Sequence, residues 1–288
     1  SQLDAAVECY EKAIAIQPDY ADPYNNLGIT FLELSQLDAA VDCYEKAIAI
    51  QPDYAEAHYN LGNAFKKRGQ LEDAVKSYEN ALTIKPDYAE AHYNLGNSLK
   101  ELGQLEDAIK SYENALALKP DYAEAHNNLG NAFLLDFSKL DAAVKCYEKA
   151  LSLMPENADT YSNLGMAYMQ LDQPGIALKC CKKALSLEPD SADAHNNLGI
   201  AFSELGQLDE ALASYESAIA LDSNLDYVFS DYTQTKMDLC IWDDYANQLN
   251  ELTNKVNNGK KALDPFTMIA LIDDPGIQKK TAEIYVDS

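Results

Sequence analysis

What the chain lacks narrows it first. It has no stretch of about 20 consecutive apolar residues, so no segment is expected to cross a membrane as a helix. Positive charge is scarce: 22 Lys and Arg face 47 Asp and Glu, for a formal net charge of −25. That field repels phosphate backbones and argues against a general nucleic-acid partner. Six Cys, at 9, 43, 146, 180, 181 and 240, contain no Cys-x-x-Cys, so neither a disulfide framework nor zinc spacing is present. Unpaired thiols suit a reducing compartment, and a cytoplasmic protein is expected. No secretory leader opens the sequence. No nucleophile constellation, phosphate-cradling loop or metal motif occurs, so no catalytic residue, cofactor or metal is assigned. What remains, 288 residues of which 47% are apolar, is the make-up of a folded chain of one or two domains.

Internal repetition dominates. Asn-Leu-Gly recurs at Asn26, Asn60, Asn94, Asn128, Asn163 and Asn197, in steps of 34, 34, 34, 35 and 34. Pro18, Pro52, Pro86, Pro120, Pro155 and Pro189 keep the same register. The odd step comes from one extra residue in Leu135-Asp136-Phe137-Ser138-Lys139.

Each unit reads as helix, turn, helix. In the unit starting at Ala55, His58, Leu61, Gly62 and Phe65 share one helical face, and Gly69-Gln70 breaks it. Leu71, Ala74, Val75, Tyr78, Ala81 and Leu82 make a second apolar stripe, which Pro86 stops. Asp87 to Glu90 reads as a capping box that restarts the next helix, with Asp22, Glu56, Glu124, Asp159 and Asp193 as the counterparts of Glu90. Small residues recur where backbones must approach: the Gly of each Asn-Leu-Gly, the Ala40/Ala74/Ala108 series and the Ala47/Ala81/Ala115 series. Tyr10, Tyr44, Tyr78, Tyr112, Tyr147 and Tyr215 fill the space between, with Cys181 standing in the fifth full unit.

A 34-residue helical pair with small residues at these points resembles the tetratricopeptide repeat, over about residues 1–225. The resemblance implies an all-α, right-handed superhelix, an α-solenoid of antiparallel pairs with first helices on the concave face. Residues 1–20 form a half repeat and six full repeats follow to 225; 226–288 read as capping helices and a linker. The chain opens inside a helical pattern, and Ser1 to Ala21 nearly repeats Ser35 to Ala55, so further repeats are expected upstream.

The candidate binding residues are Asn26, Asn60, Asn94, Asn128, Asn163 and Asn197, which the resemblance places on the inner surface. An Asn carries both donor and acceptor and can grip the main chain of an extended peptide without reading side chains. Neighbouring helices pack about 10 Å apart and a strand rises about 3.3 Å per residue, so one Asn per repeat meets roughly every third residue. The alternative is that each Asn bonds only to neighbouring helix and fixes repeat packing. All four His, at 58, 92, 126 and 195, share one repeat position with Tyr24 and Tyr161, which reads as packing rather than metal or catalysis. The Lys66-Lys67-Arg68 cluster with Lys100 reads as a solvated helix end, with an acidic partner segment as the other possibility.

After Leu221 the repeat pattern fades. Cys240-x-Trp242-x-x-Tyr245 is followed by Pro265-Phe266-x-x-x-x-Leu271-x-x-x-Pro275. That order resembles the linker of the O-linked N-acetylglucosamine transferase-like family, which includes SPINDLY-type proteins and whose repeats also carry an inner Asn ladder. The resemblance implies a substrate-recruiting array of a nucleotide-sugar-dependent protein glycosyltransferase whose catalytic lobes are not in this sequence, so the fragment itself is expected to be no enzyme. Phe266, Met268, Ile269, Leu271 and Ile272 form an apolar run that the last repeat covers only in part, and contact with a missing catalytic domain or a partner chain would cover the rest. The competing reading is a free-standing scaffold that assembles a protein complex. Either way the partners are proteins or extended peptide segments, with no nucleic acid and no membrane; the oligomeric state is open.

Overall fold

The computed structural model describes residues 2–286 except Asp244 and Asp264, and among them the side chains of all but Phe137, Phe266, Thr267 and Ala270. The described residues hold seventeen α-helices, one short 3-10 turn and no strand. The protein is an all-α solenoid of helical hairpins. It divides into two compact units, Ser1–Asp136 and Phe137–Ser288, each described by itself.

The first unit holds α1 (Gln2–Ile16), α2 (Ala21–Glu33), α3 (Leu37–Ile50), α4 (Ala55–Lys67), α5 (Leu71–Ile84), α6 (Ala89–Glu101), α7 (Leu105–Leu118) and α8 (Ala123–Leu134). First helices (α2, α4, α6, α8) alternate with second helices (α1, α3, α5, α7), and each packs mainly on its chain neighbours. Every second helix stops two residues before its proline, as the restriction on the residue preceding Pro requires. The turn inside each hairpin is closed by a left-handed residue. At Gly69 (φ 75°) the Gly69 amide donates to Lys66 O and the Gln70 amide to Phe65 O at 2.9 Å, a Schellman closure. Ser35 holds the equivalent place with φ 60° despite its side chain.

The hairpin interior is set by one large and several small residues. Tyr44, Tyr78 and Tyr112 have no exposed surface, and a Cβ added at Gly28, Gly62 or Gly96 would stand 2.6–2.7 Å from the Tyr Cε1 of the same hairpin. Ala40, Ala74, Ala108, Ala47, Ala81 and Ala115 are fully buried beside those rings. Burying an aromatic side chain and its partners supplies the hydrophobic term, about 1.5–3 kcal/mol for each large residue.

The capping boxes read from the sequence do not form. Helices α2, α4, α6 and α8 start behind Tyr20, Tyr54, Tyr88 and Tyr122, and none of these gives a side-chain cap. The acid expected as cap, such as Asp87, therefore lies one residue too early, and Glu56 and Glu90 fall on the second helical residue, where they still complement the helix N-terminus. Both are also drawn into ion pairs that join the two ends of one repeat, Glu56 with Lys85 at 3.1 Å and Glu90 with Lys119 at 3.5 Å.

In the second unit a 3-10 turn (Phe137–Lys139) leads into α9 (Leu140–Leu153), α10 (Ala158–Gln170), α11 (Pro174–Leu187), α12 (Ala192–Glu204) and α13 (Leu208–Leu221). Here true caps appear: Asn157 Oδ1 accepts from the Thr160 amide at 2.7 Å, and Ser191 Oγ from the Ala194 amide at 3.3 Å. In these two repeats Asn and Ser replace the Tyr of the others, so the cap residue itself carries the acceptor. The extra residue of the 35-step lies in the turn segment that the sequence marked.

Four further helices close this unit: α14 (Val228–Asp238), α15 (Tyr245–Asn257), α16 (Pro265–Leu271) and α17 (Pro275–Val286). Val228, Leu252, Val256, Leu263 and Met268 join Leu198, Phe202 and Tyr215 of the last repeat in one core. The Tyr227 amide, at a left-handed residue, donates to Lys261 O at 2.7 Å and ties the start of α14 to the loop before α16. The apolar run is covered further than expected. Met268 and Leu271 are buried and Ile272 packs on the same core, while Ile269 is 64% exposed; the Phe266 side chain lies outside the described residues.

Candidate peptide-binding face

Leu27, Leu61, Leu95 and Leu129 turn into the core of the first unit, which leaves the preceding Asn of each first helix half-buried at its edge, those of α4, α6 and α8 facing the first helix of the repeat before. The amide nitrogens are spent on that neighbour. Asn60 Nδ2 donates to Asn25 Oδ1 at 3.0 Å. Asn94 Nδ2 donates to Tyr59 Oη at 2.9 Å and to Asn63 Oδ1 at 3.1 Å. Asn128 Nδ2 repeats both bonds, to Tyr93 Oη at 3.0 Å and Asn97 Oδ1 at 2.9 Å. In the second unit Asn197, itself buried, donates to Ser162 Oγ at 3.0 Å. Asn26 makes no side-chain hydrogen bond among the described residues; Asn163 holds the ladder position on α10, half-buried.

The nitrogen of the ladder thus does what the packing alternative requires. The carbonyl oxygens of Asn60 and Asn94 do not: each is without a hydrogen-bond partner and neither is sealed from solvent. The ladder has a structural end and an open end.

Aromatic rings line the same edge. Tyr59 lies 4.8 Å from Tyr88 and Tyr93 lies 4.8 Å from Tyr122, ring centre to ring centre. Lys85 and Lys119 stand over the outer rings at 4.6 and 4.5 Å while pairing with Glu56 and Glu90. Burial pushes the Tyr54 phenol up to about 12, helped by Asp22, and raises Tyr88 and Tyr122 further. These phenols stay protonated donors at neutral pH.

The histidines serve the scaffold. Nε2 of His58, His92, His126 and His195 donates to the carbonyl of Pro52, Pro86, Pro120 and Pro189, at 3.0–3.1 Å, and pins the turn between repeats. Among the described residues no group of three His, Cys, Asp or Glu could hold a metal ion. Two members of the basic cluster are held by the protein's own acids: Lys66 pairs with Glu101 at 3.0 Å and Arg68 with Asp38 at 3.2 Å. Burial pushes the Cys181 thiol up to about 12 and Cys43 to about 11, so both are poor nucleophiles, whereas Cys9 and Cys240 are exposed. Among the described residues no helix is long and apolar enough to cross a membrane.

Sequence reading missed Asn63 and Asn97, which receive the ladder's bonds. They recur as Asn131 but give way to Ile29, Met166 and Ile200 in the other repeats, so position alone did not mark them. One repeat carried a hint: where Met166 replaces this Asn, Cys181 replaces the Tyr that would bond it, although Tyr44 and Tyr215 persist opposite Ile29 and Ile200.

Comparison with known proteins agrees with this architecture. The family described as TPR repeat matches residues 1–35, 30–69, 62–103, 96–136 and 138–172, and the family described as tetratricopeptide repeat matches 156–224. The chain belongs to the tetratricopeptide repeat family. Among solved structures it is similar to YrrB, a TPR protein described as having an unusual peptide-binding site, at 26% identity over 65% of this chain and 96% of that one, with a TM-score of 0.58. It is similar to MamA at 28% identity over 60% and 93% of the two chains, TM-score 0.55. PilF of Pseudomonas aeruginosa shares the fold at 19% identity, over 83% of this chain and 100% of that one, TM-score 0.64. No curated protein matches.

Proposed function

We propose that the edge of first helices bearing Asn26, Asn60, Asn94, Asn128, Asn163 and Asn197 binds extended polypeptide, in each unit along its own row. The observation that carries this is the open carbonyl end of Asn60 and Asn94 on residues whose amide nitrogens are already held in place. Hydrogen bonds from such preset groups avoid the entropy of ordering a free side chain. Similarity to a repeat protein with a peptide-binding site supports the same reading.

Peptides of about 12 residues, the length that spans four repeats, selected from a displayed random library test it. Changing Asn60 and Asn94 to Ala should weaken their binding roughly 10- to 100-fold. Scrambled versions should bind nearly as well as the originals. Undiminished binding by a mutant that melts as the parent does would remove the ladder from the site.

The wider setting is that of a substrate-recruiting region of an O-linked N-acetylglucosamine transferase-like protein in the cytoplasm. It is supported by the Cys240-x-Trp242-x-x-Tyr245 and Pro265 to Pro275 blocks and by the six free thiols. The full open reading frame tests it. A transferase continues past Ser288 for roughly two more domains, and a scaffold does not. The purified fragment given nucleotide-sugars and acceptor proteins should transfer nothing.

A further inference from the structure

The unused ends of the Asn pairs in the first unit form a pattern. Asn60 and Asn63 lie one helical turn apart on α4, and Asn94 and Asn97 lie one turn apart on α6. The fully buried Tyr78 donates its hydroxyl to Asn63 Oδ1, and the equally buried Tyr112 to Asn97 Oδ1, both at 2.8 Å. Each of these oxygens also accepts from the ladder nitrogen of the next repeat, Asn94 or Asn128. An amide oxygen has two lone pairs, so both are occupied. The ladder nitrogens of Asn94 and Asn128 likewise have both hydrogens engaged.

What remains open is therefore not arbitrary. Asn60 and Asn94 leave an acceptor, Oδ1, and Asn60 also keeps one of its two Nδ2 hydrogens. Asn63 and Asn97 leave a donor, Nδ2. None of these four atoms is among the buried side-chain atoms that lack a partner in the described residues, which are Tyr44 Oη, Gln70 Oε1, Asn196 Oδ1 and Thr233 Oγ1. All four belong to partly exposed residues and face water in the free protein.

We infer that Asn63 and Asn97 are a second set of binding residues, which donate to the carbonyls of a bound polypeptide main chain while Asn60 and Asn94 accept from its N–H groups. This deepens the proposed peptide-binding function and rests on it. At Asn94 and Asn128 the ladder cannot grip both groups of a peptide by itself, because both amide hydrogens are committed to the fold, and at Asn60 one of the two is. The clasp is divided between two Asn per repeat, and the hydroxyls of Tyr78 and Tyr112 act as positioning residues that hold the donor end outward.

Spacing names the conformation of the ligand. Helices of neighbouring repeats are about 10 Å apart. A flat β-strand covers that distance in three residues but then presents its opposite edge. A polyproline-II segment rises about 3.1 Å per residue with three residues per turn, so it presents the same edge at every repeat. Its backbone makes no internal hydrogen bonds, which leaves each N–H and C=O free for the Asn pairs. The ligand class is a polypeptide in this conformation, chosen by main chain rather than by side-chain sequence.

The test uses peptides selected on the whole chain from a displayed random library, with fluorescence anisotropy and melting measured on each variant. In the double variant Asn63→Asp, Asn97→Asp the outward donor becomes an acceptor of the same shape. The inward oxygen still receives Tyr78 or Tyr112 and the next ladder nitrogen, so melting should stay near that of the parent. Binding should fall roughly 10- to 100-fold, and about 1 M salt, where the Debye length is about 3 Å, should not restore it. N-methylation of the peptide at every third residue should weaken binding in one of the three registers only. Restoration by salt would make the effect mere charge repulsion and overturn the inference. Unchanged binding by the Asp variant would mean that the amide polarity is reversed or the pair unused, which also overturns it while leaving peptide binding intact. If Asn60→Ala, Asn94→Ala binds as the parent does and no peptide depends on this edge, the function reading fails with it.

Discussion

The hairpins 55–88 and 158–191 share one backbone plan and differ at the place where the two helices meet. In the first, Tyr78 lies against Gly62 and its hydroxyl reaches Asn63. In the second, Cys181 takes the Tyr position, a Cβ on Gly165 would stand 3.0 Å from the Cys181 sulfur and 3.5 Å from Ala177 O and Cys180 Cβ, and Met166 takes the place of the Asn. The hairpin 21–54 is half converted: Tyr44 is present, Ile29 stands opposite, and the buried Tyr44 hydroxyl has no partner among the described residues. The ring packs the hairpin; the hydroxyl holds its Asn, at the edge proposed to bind peptide. The two jobs separate because the repeats changed them one at a time.

Alkaline titration should break the comparison most widely. Burial raises Tyr44, Tyr78, Tyr112, Tyr147 and Tyr215 well above the ordinary phenol value of 10.0. Unfolding lets them ionise, so the unfolded state binds fewer protons at high pH and stability falls as pH rises past 10. The loss is about 1.4 kcal/mol per group for each pH unit beyond that point, and together these groups should unfold the chain. Cys181 departs from 9.0 instead, and is raised to about 12 in the fold. Its hairpin should begin to loosen about one pH unit earlier, seen as Cys181 alkylation below the pH at which tyrosinate absorbance and helical signal change.

Gly96→Ala should cost about 1–3 kcal/mol by overpacking a ring that has nowhere to move, because the new Cβ would lie 2.7 Å from Tyr112 Cε1. Gly165→Ala should cost distinctly less, since a thiol gives way more easily. Denaturant midpoints measure both, and equal costs would show that the Tyr ring does not define this packing. Tyr78→Phe should lose about 0.5–1.5 kcal/mol. Tyr44→Phe should cost nothing or stabilise, and Ile29→Asn should give the Tyr44 hydroxyl its missing acceptor and raise the melting temperature. Smallest is Ser35→Gly, which relieves a left-handed residue that glycine occupies without strain; the expected gain is about 0.5–1 kcal/mol.

The fold was legible because its causes repeat. Proline stops, the Gly and Ala positions and the Tyr between them recur at fixed spacing, and steric exclusion leaves few other residues possible. The caps were misread because an acid beside a helix start looks the same one residue early or late, whereas the hydrogen bond exists at a single position; Asn157 and Ser191 hold it and Asp87 does not. The histidines carried a usable signal, each six residues after a proline whose carbonyl it meets. The ladder was visible as six Asn, but its division into a committed nitrogen and an open oxygen was not. That division depends on Tyr59, Tyr93, Asn63 and Asn97, which lie about one repeat back and vary along the chain. The linker segment, without repetition, offered only its amphipathic pattern, and how far Met268 and Leu271 would be covered depended on helices α15 and α17.

Each ladder bond reaches 31 or 35 residues back, always into the repeat before. Recombination between misaligned copies of the gene that adds or removes 34 codons therefore hands every remaining Asn a neighbour of the kind it already had. A slip by 33 or 35 within a helix turns the following side chains by about 100° around its axis and strips the Asn row of its partners. The one 35-residue step is found in a turn, where the extra residue rotates nothing. Growth and shrinkage of such an array is thus quantised by its hydrogen bonds, and the Asn row can lengthen a repeat at a time without redesign of the contacts.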